Sequence, residues 1–260
     1  MTVRLAVADG LARLELNRPD AANAINLDLA VALEGAALQL RDDPSVRAVL
    51  LTGAGARFCG GGDVPDFASK PPADLPGYLA EITAHLHPAI EMLVELDAPV
   101  IAAVQGSAAG AGLGLVLAAD VVVAARSAKF VMAYTAIGMS PDGSSSWFLP
   151  RIVGQRRALE LTLTNRVLLA DEACAWGIVT TVVDDDALLT SAAALATTLA
   201  AGPTASYGRA ARLLRGAWDA TLHDHLANER DEIAASGATA DGQEGIAAFA
   251  GKRPPTFTGH

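Results

Sequence analysis

Apolar and polar positions alternate at the start of the chain. In Leu11–Leu16, Leu14 and Leu16 alternate with Arg13 and Glu15, and a short run from Arg4 to Val7 lies just before it. Asp9-Gly10 between the two runs suits the positive φ angles of a tight turn, so the chain is predicted to open as a β-hairpin. Past Asn17-Arg18-Pro19, Asn26 is placed to cap a helix from Leu27 to about Arg41, and Val46 to Leu51 reads as a short strand running into Thr52-Gly53. Val100 to Val104 and Val121 to Ala125 are two further Val/Ile-rich runs, separated by a glycine-rich segment and a short helix through Leu113 to Ala118. Strands that alternate with helices predict a largely parallel sheet.

Residues Ser69 to Pro76 carry Pro71, Pro72 and Pro76 and precede a predicted helix from Tyr78 to about Leu96, and the segment with this helix is the candidate mobile cover. From Arg156 the pattern is mostly helical, over 156–163, 171–176, 187–201, 205–215 and 222–235. We therefore expect an α/β core over residues 1–200 and a helical region over 201–260, with no internal repeat at the level of residue identity.

Composition narrows the function. A chain of 260 residues with 52% hydrophobic content buries a full core. A net charge of −10 leaves no basic field for nucleic acid. Cys59 and Cys174 alone give no disulfide framework, which points to a reducing compartment and a cytoplasmic protein. The opening MTVRLAVADGLARLELN lacks the features of a secretory signal. Ala98 to Ala119 is uncharged and long enough to span a bilayer, but Pro99, Gln105, Ser107 and four glycines divide it into buried strand, loop and helix, so no membrane partner is expected.

Two segments put glycine where chemistry wants bare backbone: Phe58-Cys59-Gly60-Gly61-Gly62-Asp63, and Gly106-Ser107-Ala108-Ala109-Gly110-Ala111-Gly112. Glycine lets a ligand approach the main chain, and amides at a helix start point at an anion. Two such amides make an oxyanion hole, whereas either loop alone reads more simply as a tight turn with close helix–sheet packing. Neither matches a nucleotide-phosphate cradle.

Four ordered motifs, Asn17-Arg18-Pro19 with Asn23-Ala24-Ile25, LTGAGARFCGGGDV, APVIAAVQGSAAGAGLGLVLAADVVVAA and LLADEACAWGIVTTVV, resemble the crotonase (enoyl-CoA hydratase/isomerase) family over nearly the whole chain. The resemblance implies an α/β fold, the crotonase (ClpP-like) spiral of ββα units with a C-terminal helical trimerisation region. It implies a homo-trimer or dimer of trimers acting on an acyl-CoA thioester, with no cofactor beyond the coenzyme A of the substrate. The oxyanion amides fall on Gly62 and Ala111, the latter in Gly110-Ala111-Gly112 where the family usually has three glycines. Coenzyme A contacts fall on backbone at Ala22, Ala24, Gly60, Gly62, Asp63 and Val64, with Asp20 where some members carry a lysine.

The two glutamates of family hydratases fall on Gly114 and Tyr134, so hydration by the usual two-carboxylate route is not expected. ARSAKFVMAYTAIGMSPDG, WFLPRIVG and KRPPTFTG resemble a subgroup typified by the ring-epoxide isomerase of phenylacetate breakdown, in which the loop aspartate, here Asp142, transfers protons. Asp142 also reads as the N-cap of a helix starting near Ser144. Ser144 and Ser145 replace a glycine pair of that subgroup and are expected to narrow the acyl pocket. Asp63 reads as a structural or capping carboxylate, Tyr134 as a pocket wall or hydrogen-bond donor, and Cys59 as a buried small residue. His85 and His87 splay apart at i and i+2, which gives no metal site. Rival readings are a hydratase with an unusual acid–base set, a dehalogenase using Asp142 as nucleophile, and a non-catalytic scaffold.

Overall fold

The structure, a computed structural model, describes residues 1–260. β1 (Val3–Ala8) and β2 (Leu11–Leu16) pair antiparallel across Asp9 and Gly10, whose φ angles are 52° and 77°, the turn whose twist suits the flanking strands. α1 (Leu27–Asp42) begins at Asn26, whose side chain accepts the Leu29 N–H, and it buries Leu29, Leu33 and Leu40. Next come β3 (Ala48–Gly53), α2 (Val64–Ala68), α3 (Leu75–Glu95), β4 (Val100–Val104), β5 (Ser107–Ala109), α4 (Ala111–Ala118), β6 (Val121–Ala125) and β7 (Lys129–Val131). The chain continues through α5 (Ser145–Val153), α6 (Gln155–Thr164), β8 (Leu168–Leu169), α7 (Ala170–Ala175), β9 (Thr181–Val183) and α8 (Leu188–Ala200). It ends in α9 (Thr204–Gly216), α10 (Leu222–Ala238) and α11 (Ala240–Ala250).

The main sheet runs β1-β2-β3-β4-β6-β9 and is parallel from β2 onward; a second sheet, β5-β7-β8, stands beside it. β4 is buried along its whole length, as a central parallel strand must be. The second sheet, β9 and α11 have no counterpart in the expectations drawn from sequence. Strands of two or three residues carry no measurable alternation, and Gly242 and Gly245 mask the helical pattern of α11. The stretch from Ala98 to Ala119 divides into β4, β5 and α4, and no single helix is long and apolar enough to cross a membrane.

The covering element is the helix after the prolines, not the proline segment itself. Pro76 falls in the first turn of α3, where proline costs no hydrogen bond. The cover is α3 itself, which lays Leu79, Ile82 and Leu86 over a cavity, while residues 69–74 only connect α2 to α3. Beyond residue 200, ion pairs from Arg212 to Asp97 (2.6 Å) and from Arg215 to Asp120 (2.6 Å) tie α9 to the preceding helices and strands. α10, by contrast, buries no residue.

Candidate active site

The two glycine loops meet because their flanking backbones pair. Cys59 N–H donates to Ser107 O (3.1 Å) and Ala109 N–H to Cys59 O (3.0 Å), forming a bridge between Cys59 and Ala108. Asn23, fully buried at a φ of 54°, donates its side-chain amide to Ala54 O (2.9 Å) and Arg57 O (2.8 Å), which ties down the approach to the first loop. Sequence reasoning gave Asn23 no such role; its signal was an asparagine able to adopt left-handed backbone in the Asn23-Ala24-Ile25 motif. Contact is close enough that a methyl at Gly61 would lie 2.7 Å from Ala109 O and one at Gly112 would lie 2.6 Å from Cys59 O.

At the end of this zipper, the N–H groups of Gly62 and Ala111 have no intramolecular acceptor. Ala111 opens α4, so its free amide is one of the unsatisfied donors at a helix start and adds the positive end of the helix dipole. The left-handed turn required there is taken by Gly110 (φ 49°), and Ala111 itself keeps an ordinary helical backbone. Both residues line one mostly apolar cavity of about 340 Å³, with Ile25, Phe67, Leu79, Ile82 and Leu86 among its walls.

Asp142 lines the same cavity and is the only carboxylate that does so. It is not a helix cap: the residue before α5 is Ser144 (φ 66°), no side chain caps that end, and Asp142 contributes its carbonyl to the Ser145 N–H (3.1 Å) and Ser145 Oγ–H (2.7 Å). The Asp142 carboxylate instead accepts the Tyr134 hydroxyl at Oδ1 (2.6 Å). Burial, and then the Asp142 charge, push the Tyr134 phenol far above the usual tyrosine range, so it remains neutral.

Gly114 is sealed. A methyl at that position in α4 would overlap the carbonyl oxygen of Gly143, so no carboxylate side chain fits. Ser144 and Ser145 are expected to narrow the acyl pocket, and they do not. Neither lines the cavity; Ser145 is fully buried against Asp142 O, and Ser144 Oγ lies 3.5 Å from Gly114 O, because the left-handed turn at Ser144 carries both side chains behind the loop.

The other candidates fall in different places. Gly60, Gly62, Val64 and Tyr134 line the cavity, whereas Asp63, Ala22 and Ala24 do not. Asp63 caps α2 by accepting the Asp66 N–H (3.2 Å) and pairs with Arg18 (2.9 Å), so its carboxylate is fully engaged as a structural group. Ala22 O accepts the Gly60 N–H (2.9 Å), and Ala24 O accepts a hydrogen bond from the Arg18 guanidinium. Cys59 is fully buried and donates to Asn23 O (3.1 Å); burial pushes its thiol up to about 12, far from a nucleophile's range. His85 Nδ1 pairs with Glu34 (2.6 Å), and His87 Nε2 accepts the Gly143 N–H (3.3 Å).

Known proteins resemble this chain over nearly its whole length. Residues 6–260 match the family model described as enoyl-CoA hydratase/isomerase. The chain is 41% identical over 253 residues to the 1,2-epoxyphenylacetyl-CoA isomerase of Escherichia coli (strain K12), covering 97% of each chain. It is 36% identical to 4-chlorobenzoyl coenzyme A dehalogenase-2 of an Arthrobacter species, over 94% of this chain and 88% of the relative. The crystal structure of an enoyl-CoA hydratase from Polaromonas sp. JS666 superposes with a TM-score of 0.93 at 35% identity, over 98% of this chain and 99% of the other.

Proposed function

The chain belongs to the enoyl-CoA hydratase/isomerase family, and on that premise we propose that it is an acyl-CoA isomerase acting on an enoyl or ring-epoxide thioester with Asp142 as its single base. The observation that carries this reading is that Asp142 is the only carboxylate facing the cavity that receives both free amides. Asp142 Oδ2 takes a proton from the carbon α or γ to the thioester carbonyl. The C–H electron pair moves into the conjugated enolate, whose oxygen lies between the N–H groups of Gly62 and Ala111. The protonated carboxyl then returns the proton to the other carbon, and the double bond has moved with no net change in the enzyme.

Addition of water needs a second acid–base group. The sealed Gly114 position excludes one carboxylate, and the neutral Tyr134 phenol stands at the other. The wall of the coenzyme A channel is assigned to backbone at Gly60, Gly62 and Val64, with Ala22 O holding the Gly60 N–H and Ala24 O held by Arg18. Turnover of 3-enoyl, 2-enoyl, ring-epoxide and 4-chlorobenzoyl thioesters, followed by mass spectrometry and ultraviolet absorbance, tests the reading. Interconversion of 2- and 3-enoyl chains or rearrangement of the ring epoxide is expected, with crotonyl-CoA hydrated orders of magnitude more slowly than by a two-glutamate hydratase. Fast hydration overturns it, an aryl ester trapped on Asp142 assigns a dehalogenase, and binding without any turnover assigns a scaffold.

We also propose a homo-trimer or dimer of trimers. Leu214 (74% exposed), Leu222 (74%), Ile233 (72%) and Phe249 (89%) stand out from the C-terminal helices of the single chain, and apolar surface of this kind marks an interface. Light scattering at micromolar concentration checks it, and a monomer overturns it.

A further inference from the structure

Resting on the reading of Asp142 as the base, we propose that Tyr134 is its positioning residue: the phenol ties up Oδ1, so that Oδ2 alone takes the substrate proton and gives it back.

The backbone around Asp142 is held from three directions. Ser145 donates to Asp142 O through both its N–H and its hydroxyl, and the Gly143 N–H reaches across to His87 on α3. Tyr134, eight residues earlier in the chain, is set by hydrogen bonds from its own N–H to Met132 O (2.8 Å) and from the Met139 N–H to its carbonyl (3.0 Å). These contacts place the Asp142 Cα but leave its final torsion free. That torsion joins an sp³ to an sp² carbon and has a broad, two-fold profile, so the two carboxylate oxygens exchange readily unless something distinguishes them. The Tyr134 hydroxyl does so, donating to Oδ1 at 2.6 Å with Asp142 O a further 3.1 Å neighbour. A hydrogen bond to an ionised carboxylate is among the stronger kinds.

Burial and the adjacent carboxylate keep the phenol protonated, so Tyr134 acts as a fixed donor and neither takes nor supplies the migrating proton. No side chain donates to Oδ2. The proton that Oδ2 abstracts therefore stays on an oxygen that still faces the enolate, and its return to the second carbon competes well with exchange into water. The step balances on Asp142 alone and needs no co-reactant.

Tyr134→Phe removes the tie and leaves the ring in the wall. With a 3-enoyl-CoA thioester carrying deuterium at the α-carbon, kcat is expected to fall ~10–10²-fold, as misplacement of a reacting group does, with KM and thermal stability unchanged. The share of deuterium carried into the product should also fall. In an Asp142→Asn background the same substitution should add no further loss. Unchanged kcat and deuterium retention overturn the proposal, as does a kcat loss that repeats in full in the Asp142→Asn background or that comes with a matching change in KM. A wild type that isomerises no thioester removes the isomerase reading itself and the positioning role with it, whereas an isomerising wild type matched by Tyr134→Phe removes only the latter.

Discussion

The two walls of the cavity are built by opposite means. The wall of the glycine loops is made of backbone: the Gly62 and Ala111 amides face inward, and at Gly61, Gly112 and Gly114 an added methyl would strike a carbonyl oxygen. The wall of α3 and residues 134–142 is made of side chains, among them Leu79, Ile82, Tyr134 and Asp142. The first wall has almost no room for substitution, because its function is carried by atoms that every residue has. On the proposed reading the second owes its chemistry to Asp142 and its neighbours, so exchanging a few side chains there would redirect the reaction. This fits relatives named isomerase, dehalogenase and hydratase at 35–41% identity to this one chain.

The most severe way to test the contrast is to remove the one reactive side chain. Asp142→Asn should still fold and bind acyl-CoA while isomerisation falls ~10²–10⁴-fold, the usual cost of losing a general base. Intact turnover in the folded fraction would move the base elsewhere. On the backbone wall the position to test is Ala111, where the group at stake is the amide and not the side chain. Ala111 occupies the first position of α4, which accepts proline, so Ala111→Pro should keep the helix and lose ~10²–10³-fold in rate through the missing N–H. Ala111→Gly should stay close to wild type. Equal rates for the two variants would deny Ala111 its place in the oxyanion hole.

A weaker effect on rate, but a clear one on folding, is expected from Gly114→Glu. The new side chain meets Gly143 O, so the melting temperature should drop by several degrees, as for a ~1–3 kcal/mol overpacking change, with no gain of crotonyl-CoA hydration. A stable variant that hydrates would show that the loop yields. The smallest effect concerns Cys59 beneath the first loop. Its folded thiol is raised from 9.0 to about 12, so its contribution to stability is complete below pH 9 and is lost as the pH rises toward 12. At pH 8 a thiol reagent should modify partly exposed Cys174 and spare Cys59 until the protein unfolds; rapid double labelling of the native chain would contradict the burial.

Much of this molecule is legible in local pattern. Asp9-Gly10, the Asn26 cap, the strands at 100–104 and 121–125 and the helices at 188–200 and 204–216 all follow from turn chemistry, capping and periodicity within a few residues. Resemblance of the two glycine segments led to Gly62 and Ala111, and the loop motif led to Asp142. The short strands β5, β7 and β8 were not legible, because two or three residues form a strand only when a partner arrives from elsewhere in the chain.

By itself, then, the sequence determined a parallel α/β core, glycine loops able to expose amides, and one aspartate in the following loop, since each depends on neighbours close along the chain. Tertiary structure alone decided what those groups face. Asp63 and Asp142 are the same residue type, and a capping role is open to each in sequence, yet Asp63 is taken by Arg18 and the α2 N-terminus while Asp142 is turned to Tyr134 and the cavity. Ser144 and Ser145 turn away from the cavity, and Gly143 closes the space at Gly114, a residue 29 positions earlier. Such outcomes depend on angstrom-scale contacts between segments far apart along the chain, and no local propensity encodes them.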